Sequence, residues 1–184
     1  MKLVILDRDG VINRDSDAFI KSVAEFEPLP GSIEAIADLT RAGFTIAVAT
    51  NQSGIARGLF DQAELERIHG KLKADVAAAG GRIAHIAFCP HGPDDACACR
   101  KPLPGMIDEI IETLNVPADA ERWMVGDSLR DLQAGIARAY RPVLVRTGKG
   151  EKTLRDGGLP PETIVVDNLA QFASFVMKRV NSGN

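Results

Sequence analysis

At 184 residues, 45% hydrophobic and 26% charged, the chain has the composition of one soluble globular domain and is short for two. Its 22 basic and 25 acidic residues leave a net charge of −3, which removes the electrostatic case for nucleic acid or an anionic membrane as main partner. No apolar run nears the roughly 18 residues of a membrane span, and the run at 3–6 meets Asp7 too soon for a signal-peptide core, so a cytoplasmic protein is expected.

Short apolar runs alternate with amphipathic segments, without repeat or low-complexity tract. Residues 3–6 read as a strand ending at Asp7. Residues 32–42 read as a helix, with Ser32 as N-cap, Ile33, Ile36 and Thr40 on one stripe, and Gly43 as the stop. A second strand, 45–49, ends at Thr50. Asp61 and Glu64 have capping-box spacing, and Leu65, Ile68, Leu72 and Val76 follow at helical intervals. A third strand is expected at 83–88 and a helix around Met106, Ile107, Ile110, Ile111 and Leu114. The strand 123–125 runs into Gly126 and Asp127, and Leu129, Leu132 and Ile136 give the next helical stripe. Strands at 143–145 and 164–166 and a helix at 169–180 close the chain. Gly148-Lys149-Gly150 reads as a loop only, and His69 (helix) and His85 (strand) as structural.

Strand and helix in alternation, with unbroken apolar strands, specify a doubly wound, Rossmann-like α/β domain with a parallel sheet covered on both faces. Ligands of such sheets bind at the carboxyl ends of strands, near the point where strand order reverses. Three strands end there in polar groups: Asp7, then Thr50 and Asn51, then Gly126 and Asp127. Asp7, Asp9 and Asp127 gathered in one crevice would repel one another, and a hard cation with oxygen ligands, Mg²⁺, would relieve the repulsion. An EF-hand starting at Asp7 fails, because its glycine would fall at Ile12 and its terminal glutamate at Ala18. Walker A and Gly-x-Ser-x-Gly sequences are both missing.

The three cysteines lie within eleven residues, an odd count that argues against a disulfide framework. With His91, the residues Cys89, Cys97 and Cys99 make a Cys₃His set suited to tetrahedral zinc. Four protein ligands close such a site, so the zinc is expected to be structural and to fix the loop 89–99 that delivers Arg100 and Lys101.

Asp7-Arg8-Asp9-Gly10-Val11-Ile12, then Thr50, then Lys101, then Gly126-Asp127 with Asp131 resembles the four ordered motifs of the haloacid dehalogenase-like phosphatases, across essentially the whole chain. The resemblance implies Asp7 as the nucleophile on phosphorus, with a phospho-aspartyl intermediate. It implies Asp9 as proton donor and acceptor, Thr50 as a contact to the transferring phosphoryl group, and Lys101 as its stabiliser. Mg²⁺ would be held by Asp7, the Asp9 backbone carbonyl and Asp127, with Asp131 behind them. The gaps of 42 residues between Asp7 and Thr50 and 50 between Thr50 and Lys101 leave no room for a sizeable cap, so one capless domain over 1–184 is expected.

Asn51-Gln52-Ser53-Gly54-Ile55-Ala56-Arg57-Gly58, the cysteine loop and Cys99-Arg100-Lys101-Pro102 resemble the branch that removes one phosphate from heptose bisphosphates for lipopolysaccharide precursors. That branch implies Arg100 on the second phosphate, and Asp15, Ser16, Asp17, Ala18, Asn51, Gln52 and Ser53 on the sugar phosphate. The five-residue spacer from His91 to Cys97 instead resembles histidinol-phosphate phosphatases, the competing branch. A non-catalytic, zinc-stapled binding protein is the reading from another class. A small-molecule sugar phosphate as partner and a monomer complete the expectations.

Overall fold

The apolar runs become the strands of one sheet: β1 (Lys2–Leu6), β2 (Thr45–Asn51), β3 (His85–Cys89), β4 (Glu121–Gly126), β5 (Arg141–Val145) and β6 (Ile164–Val166). The computed structural model describes residues 1–182. All neighbouring strands are parallel, in the order β3-β2-β1-β4-β5-β6. From β1 the chain winds outward through β2 and β3, then returns to the other side of β1 for β4, β5 and β6. The reversal lies between β1 and β4, so the carboxyl ends of β2, β1 and β4 stand side by side.

Among the described residues five helices connect the strands, α1 (Ser32–Arg41), α2 (Gln62–Ala78), α3 (Gly105–Thr113), α4 (Leu129–Ile136) and α5 (Gly150–Asp156), and α6 (Leu169–Asn181) follows β6. The two faces of the sheet are covered by different sets. Val4 and Leu6 of β1 join Ile46, Val48, Trp123 and Val125 under Ile36, Leu39, Ile68, Leu72 and Phe172, from α1, α2 and α6. Leu3 and Ile5 point the other way, joining Ala47, Ala49 and Met124 under Met106, Ile107, Ile110 and Ala134, from α3 and α4. The period-two alternation of strand side chains thus buries both faces of β1. Each large apolar side chain so buried is worth roughly 1.5–3 kcal/mol before conformational entropy is charged against it.

Several local expectations change. Ser32 is the first helical residue; Gly31, with φ 78°, is the N-cap, and the Ser32 hydroxyl donates to the Val11 carbonyl at 3.0 Å. Asp61 does cap α2, accepting from the Glu64 N–H at 2.8 Å. The Glu64 carboxylate instead accepts from the Val23 N–H at 3.2 Å and ties α2 to a short 3-10 turn at Val23–Glu25. Ile136, expected on a buried stripe, is 41% exposed, because Gly135 faces the sheet there: a Cβ on it would meet Met124 at 2.6 Å. Helix α5 begins inside the segment read as a loop. Among the described residues no helix is long and apolar enough to cross a membrane.

Candidate active site

Each strand end places its own polar group at the reversal point. Asp7 follows β1, and its N–H donates to the Val125 carbonyl at 2.9 Å, which seats it against β4. Asp127 follows β4, and Thr50 and Asn51 are the last residues of β2. Lys101 arrives from the loop before α3, fixed by a reciprocal pair with Asn51: the Lys101 N–H donates to Asn51 Oδ1 at 3.0 Å, and Asn51 Nδ2 donates to the Lys101 carbonyl at 3.2 Å. Its buried ammonium donates to Asp7 Oδ1 at 2.8 Å and to the Ala49 carbonyl at 2.7 Å, and pairs with Asp131 Oδ1 at 2.7 Å. All three of its protons are committed. Burial opposes the charge on Lys101, but Asp131 and Asp7 hold its pKa above the ordinary value.

One ammonium does not neutralise this cluster. Carboxylate oxygens of Asp7, Asp127 and Asp131 lie within 4.8 Å of one another. Burial first, and the charge of Asp131 second, push Asp7 well above the usual carboxylate range, against the pull of Lys101. Burial and Asp131 push Asp127 up to about 7. Asp131 has no oxygen to spare: Oδ1 meets Lys101 and Oδ2 accepts from the Ser128 N–H at 3.0 Å. Asp7 Oδ2 and the Asp9 carbonyl receive no hydrogen bond among the described residues, whereas Asp127 Oδ1 meets only the Ser128 hydroxyl, at 3.2 Å. A hard divalent cation fits this donor set, and its charge would offset the repulsion that raises both pKa values.

Asp127 is held by a segment that the sequence did not mark. Its Oδ2 accepts from the Lys149 N–H at 2.8 Å and its carbonyl from the Thr153 hydroxyl at 2.7 Å. The carboxylate lies between Gly10 and Gly148, both at positive φ, where a Cβ would come within 2.1 and 2.3 Å of Oδ2. Only glycine leaves that space. Two glycines flanking a lysine, two residues beyond the apolar run 143–145, were the available signal.

Asp9 is clothed in donors. Its Oδ1 accepts from Arg8 Nε at 3.0 Å, Arg8 Nη2 at 2.8 Å and Asn13 Nδ2 at 2.9 Å; its Oδ2 accepts from Gln52 Nε2 at 3.0 Å. Gln52 Nε2 also donates to the Thr50 hydroxyl oxygen at 2.9 Å. Burial would raise the Asp9 pKa, but the Arg8 charge and these hydrogen bonds hold it below the usual range. Asp9 in this arrangement is therefore a carboxylate, and the proton that the family resemblance assigns to it must be gained together with a change in these contacts. Arg8 is fully buried, and its Nη1 lies 3.2 Å from His69 Nε2 on α2. Burial, and next the Arg8 charge, lower the His69 pKa to about 3, so the ring is neutral and its Nε2 lone pair accepts from Arg8. His69 thus stands behind the site, though its sequence context indicated only helix packing.

The hollow above the carboxylates is lined by Asp15, Ser16, Asp17, Asn51, Gln52, Ser53, Arg100 and Lys101 of the expected set, together with Phe19, Ser128, Arg130 and Lys149. Ala18 does not line it; its N–H is turned to the Ser16 hydroxyl at 3.1 Å. Thr50 is fully buried beneath. A wider hollow at the amino end of the sheet, between Lys2, Arg141 and Phe175, contains none of the motif carboxylates.

The cysteine loop closes on itself. Cys89 Sγ and Cys99 Sγ lie 3.4 and 3.3 Å from His91 Nδ1, and Cys97 Sγ is 3.9 Å from Cys89 Sγ. The four ligand atoms fall within 4.8 Å of one another, a cluster that could hold zinc. Arg100, the next residue, donates from Nη1 to the His91 carbonyl at 3.2 Å. Burial first, and the like charge of Arg130 next, hold its guanidinium below the ordinary pKa.

Comparison with known proteins gives the family. A family model described as HAD-hydrolase-like matches residues 98–172. The chain is 56% identical over 173 residues to the D-glycero-beta-D-manno-heptose-1,7-bisphosphate 7-phosphatase of Pseudomonas putida, covering 94% of this chain and 98% of that one. A crystal structure of D,D-heptose 1,7-bisphosphate phosphatase from Bordetella bronchiseptica, complexed with magnesium and phosphate, superposes with a TM-score of 0.91 at 54% identity, over 97% of this chain and 99% of that one. The Burkholderia thailandensis phosphatase of the same description gives 0.74 at 49% identity, over 96% and 99%.

Proposed function

We propose, for a chain that belongs to the heptose-bisphosphate 7-phosphatase family of haloacid dehalogenase-like hydrolases, that it removes the 7-phosphate of D-glycero-beta-D-manno-heptose 1,7-bisphosphate. The observation that carries the reading is the end-to-end match to relatives of that name in a chain whose Asp7, Asp127 and Lys101 converge at the sheet reversal. That it is a phosphoric monoester hydrolase follows from the family itself.

In this reading Mg²⁺ sits between Asp7, Asp127 and the Asp9 carbonyl, and supplies charge neutralisation for the phosphoryl oxygens. Asp7 attacks phosphorus through Oδ2, the oxygen that Lys101 leaves free. The bond from phosphorus to the sugar O7 breaks, and Asp9 gives that oxygen a proton. Oδ2 of Asp9, held by Gln52 alone, is the oxygen best placed to exchange one. Asp9, again a carboxylate, then takes a proton from water. The hydroxide attacks phosphorus, the bond to Asp7 breaks, and inorganic phosphate leaves. Transfer of this kind draws its rate from alignment and charge neutralisation, which the fixed Lys101–Asp7 pair, Thr50 and the cation supply. Asp15, Ser16, Asp17, Asn51, Gln52 and Ser53 would meet the sugar phosphate, and Arg100 the second phosphate.

The Cys89, His91, Cys97 and Cys99 set would hold structural zinc and thereby the backbone that aims Arg100. A single domain over 1–184, a monomer, a cytoplasmic location and a role in lipopolysaccharide heptose supply complete the reading. Phosphate release with Mg²⁺ tests it, on the beta and alpha bisphosphates and on histidinol phosphate. A kcat/KM for the beta bisphosphate roughly a hundredfold above both others, about 2.7 kcal/mol of transition-state stabilisation, is expected. Preference for histidinol phosphate would overturn it.

A further inference from the structure

Among the described residues the Arg130 side chain has no structural partner. Arg130 is the second residue of α4, where a cation faces the positive end of the helix dipole, an unfavourable placement. It is half-buried and lines the same hollow as Asp7 and Asp127. The nearest carboxylates in sequence are committed elsewhere: Asp131 to Lys101 and the Ser128 N–H, Asp127 to the Lys149 N–H and the Ser128 hydroxyl. Among the described residues Arg130 makes no ion pair and no hydrogen bond.

A second guanidinium, that of Arg100, lines this hollow from the cysteine loop. Among the described residues its one hydrogen bond is to the His91 carbonyl, at 3.2 Å, which orients the side chain without neutralising it. The two arginines therefore confront each other as like charges on elements that arrive from opposite sides of the reversal point, the β3–α3 loop and the start of α4. A fold that holds two unpaired guanidinium groups together, one of them against a helix dipole, gives up stability at that place; such local conflicts mark ligand sites. Two cations match the charge of one phosphate dianion, and the planar forks suit its oxygens in pairs. The reacting phosphate does not need them, because Lys101 and the carboxylate-bound cation serve it.

We propose that Arg130 is a specificity residue which, together with Arg100, grips the phosphate that is not hydrolysed. This rests on the bisphosphate reading above. It adds a second cation, on α4, to the one expected from the cysteine loop, and it makes selection of a bisphosphate over a monophosphate a property of the pair.

The test compares kcat/KM on the beta bisphosphate with kcat/KM on heptose 7-phosphate, for the wild type, Arg130→Ala, Arg130→Lys, Arg100→Ala and the double alanine variant. Melting curves in phosphate-free buffer verify the fold. The wild type should favour the bisphosphate. Arg130→Ala should shrink that ratio by roughly tenfold or more, chiefly through KM, with Arg130→Lys between the two. The double variant should lose less than the product of the single losses, since both arginines hold one group. An Arg130→Ala ratio equal to the wild-type ratio, with the bisphosphate still preferred, would overturn the role of Arg130 alone. A wild type without preference for the bisphosphate would overturn the substrate reading, and this inference with it.

Discussion

The ammonium of Lys101 lies 2.8 Å from Oδ1 of Asp7, across 94 residues of sequence. That contact joins the loop after β1 to the loop before α3, and its consequence is directional. One Asp7 oxygen is tied, and the other accepts no hydrogen bond among the described residues, in a residue that lines the hollow. Asp7→Asn keeps the shape and removes the nucleophile of the proposed reaction. Phosphate release should fall by about a thousandfold or more, while circular dichroism and the melting temperature stay close to wild type. Activity within tenfold of wild type would remove Asp7 from its role.

Metal dependence should be coupled to pH through Asp127. Its native pKa of about 7 lies above the ordinary value of 3.8, so the metal-free native state holds a proton that the unfolded chain has released. Stability of the metal-free protein should therefore fall as pH rises from about 4 towards 7. Mg²⁺ binds the ionised carboxylates, so the rise in melting temperature on adding it should be larger at pH 8 than at pH 5. An equal rise at both pH values would contradict this account.

His69 predicts the opposite slope. Its native pKa of about 3 lies below the ordinary 6.5, so acid protonates the unfolded chain first, and the stability it contributes is lost as pH falls from 6.5 towards 3. His69→Leu removes the acceptor beneath a fully buried guanidinium and should cost about 1.5–3 kcal/mol at neutral pH by urea denaturation. It should also lower kcat, through the freedom given to Arg8 and Asp9. His69→Gln, which offers a carbonyl oxygen and does not titrate, should recover much of both losses and flatten the acid limb.

Zinc should bind more tightly as pH rises. Burial and the neighbouring Cys89 push the Cys99 thiol up to about 12, so a metal must displace protons to form thiolates. Binding measured by competition with a chelator should show proton release and weaken from pH 8 to pH 6. Cys97→Ser should lose zinc and lower kcat/KM on the bisphosphate more than on a monophosphate ester, because Arg100 hangs from the His91 carbonyl. The sheet itself should survive, since Cys97 is only partly buried and its loop lies outside the strands.

The parallel α/β class could be read from the sequence because its cause is local. Strands buried on both faces need unbroken apolar runs, and helices covering them need one apolar stripe, so periodicity reports both. Asp7, Thr50 and Asp127 were legible for a related reason: each ends or follows a strand whose position the sheet rules fix, whereas Lys101, in the loop before α3, was marked only by the family resemblance. Tertiary structure alone decided the contacts between segments distant in the chain. Neither His69 beneath Arg8 nor Arg130 beside Arg100 has a periodic or spacing signal, and the Gly148-Lys149-Gly150 run reads only as a loop until its turn is seen over Asp127. Their roles come from meeting across the reversal point, and there burial and like charge, rather than residue type, determine what each group can do.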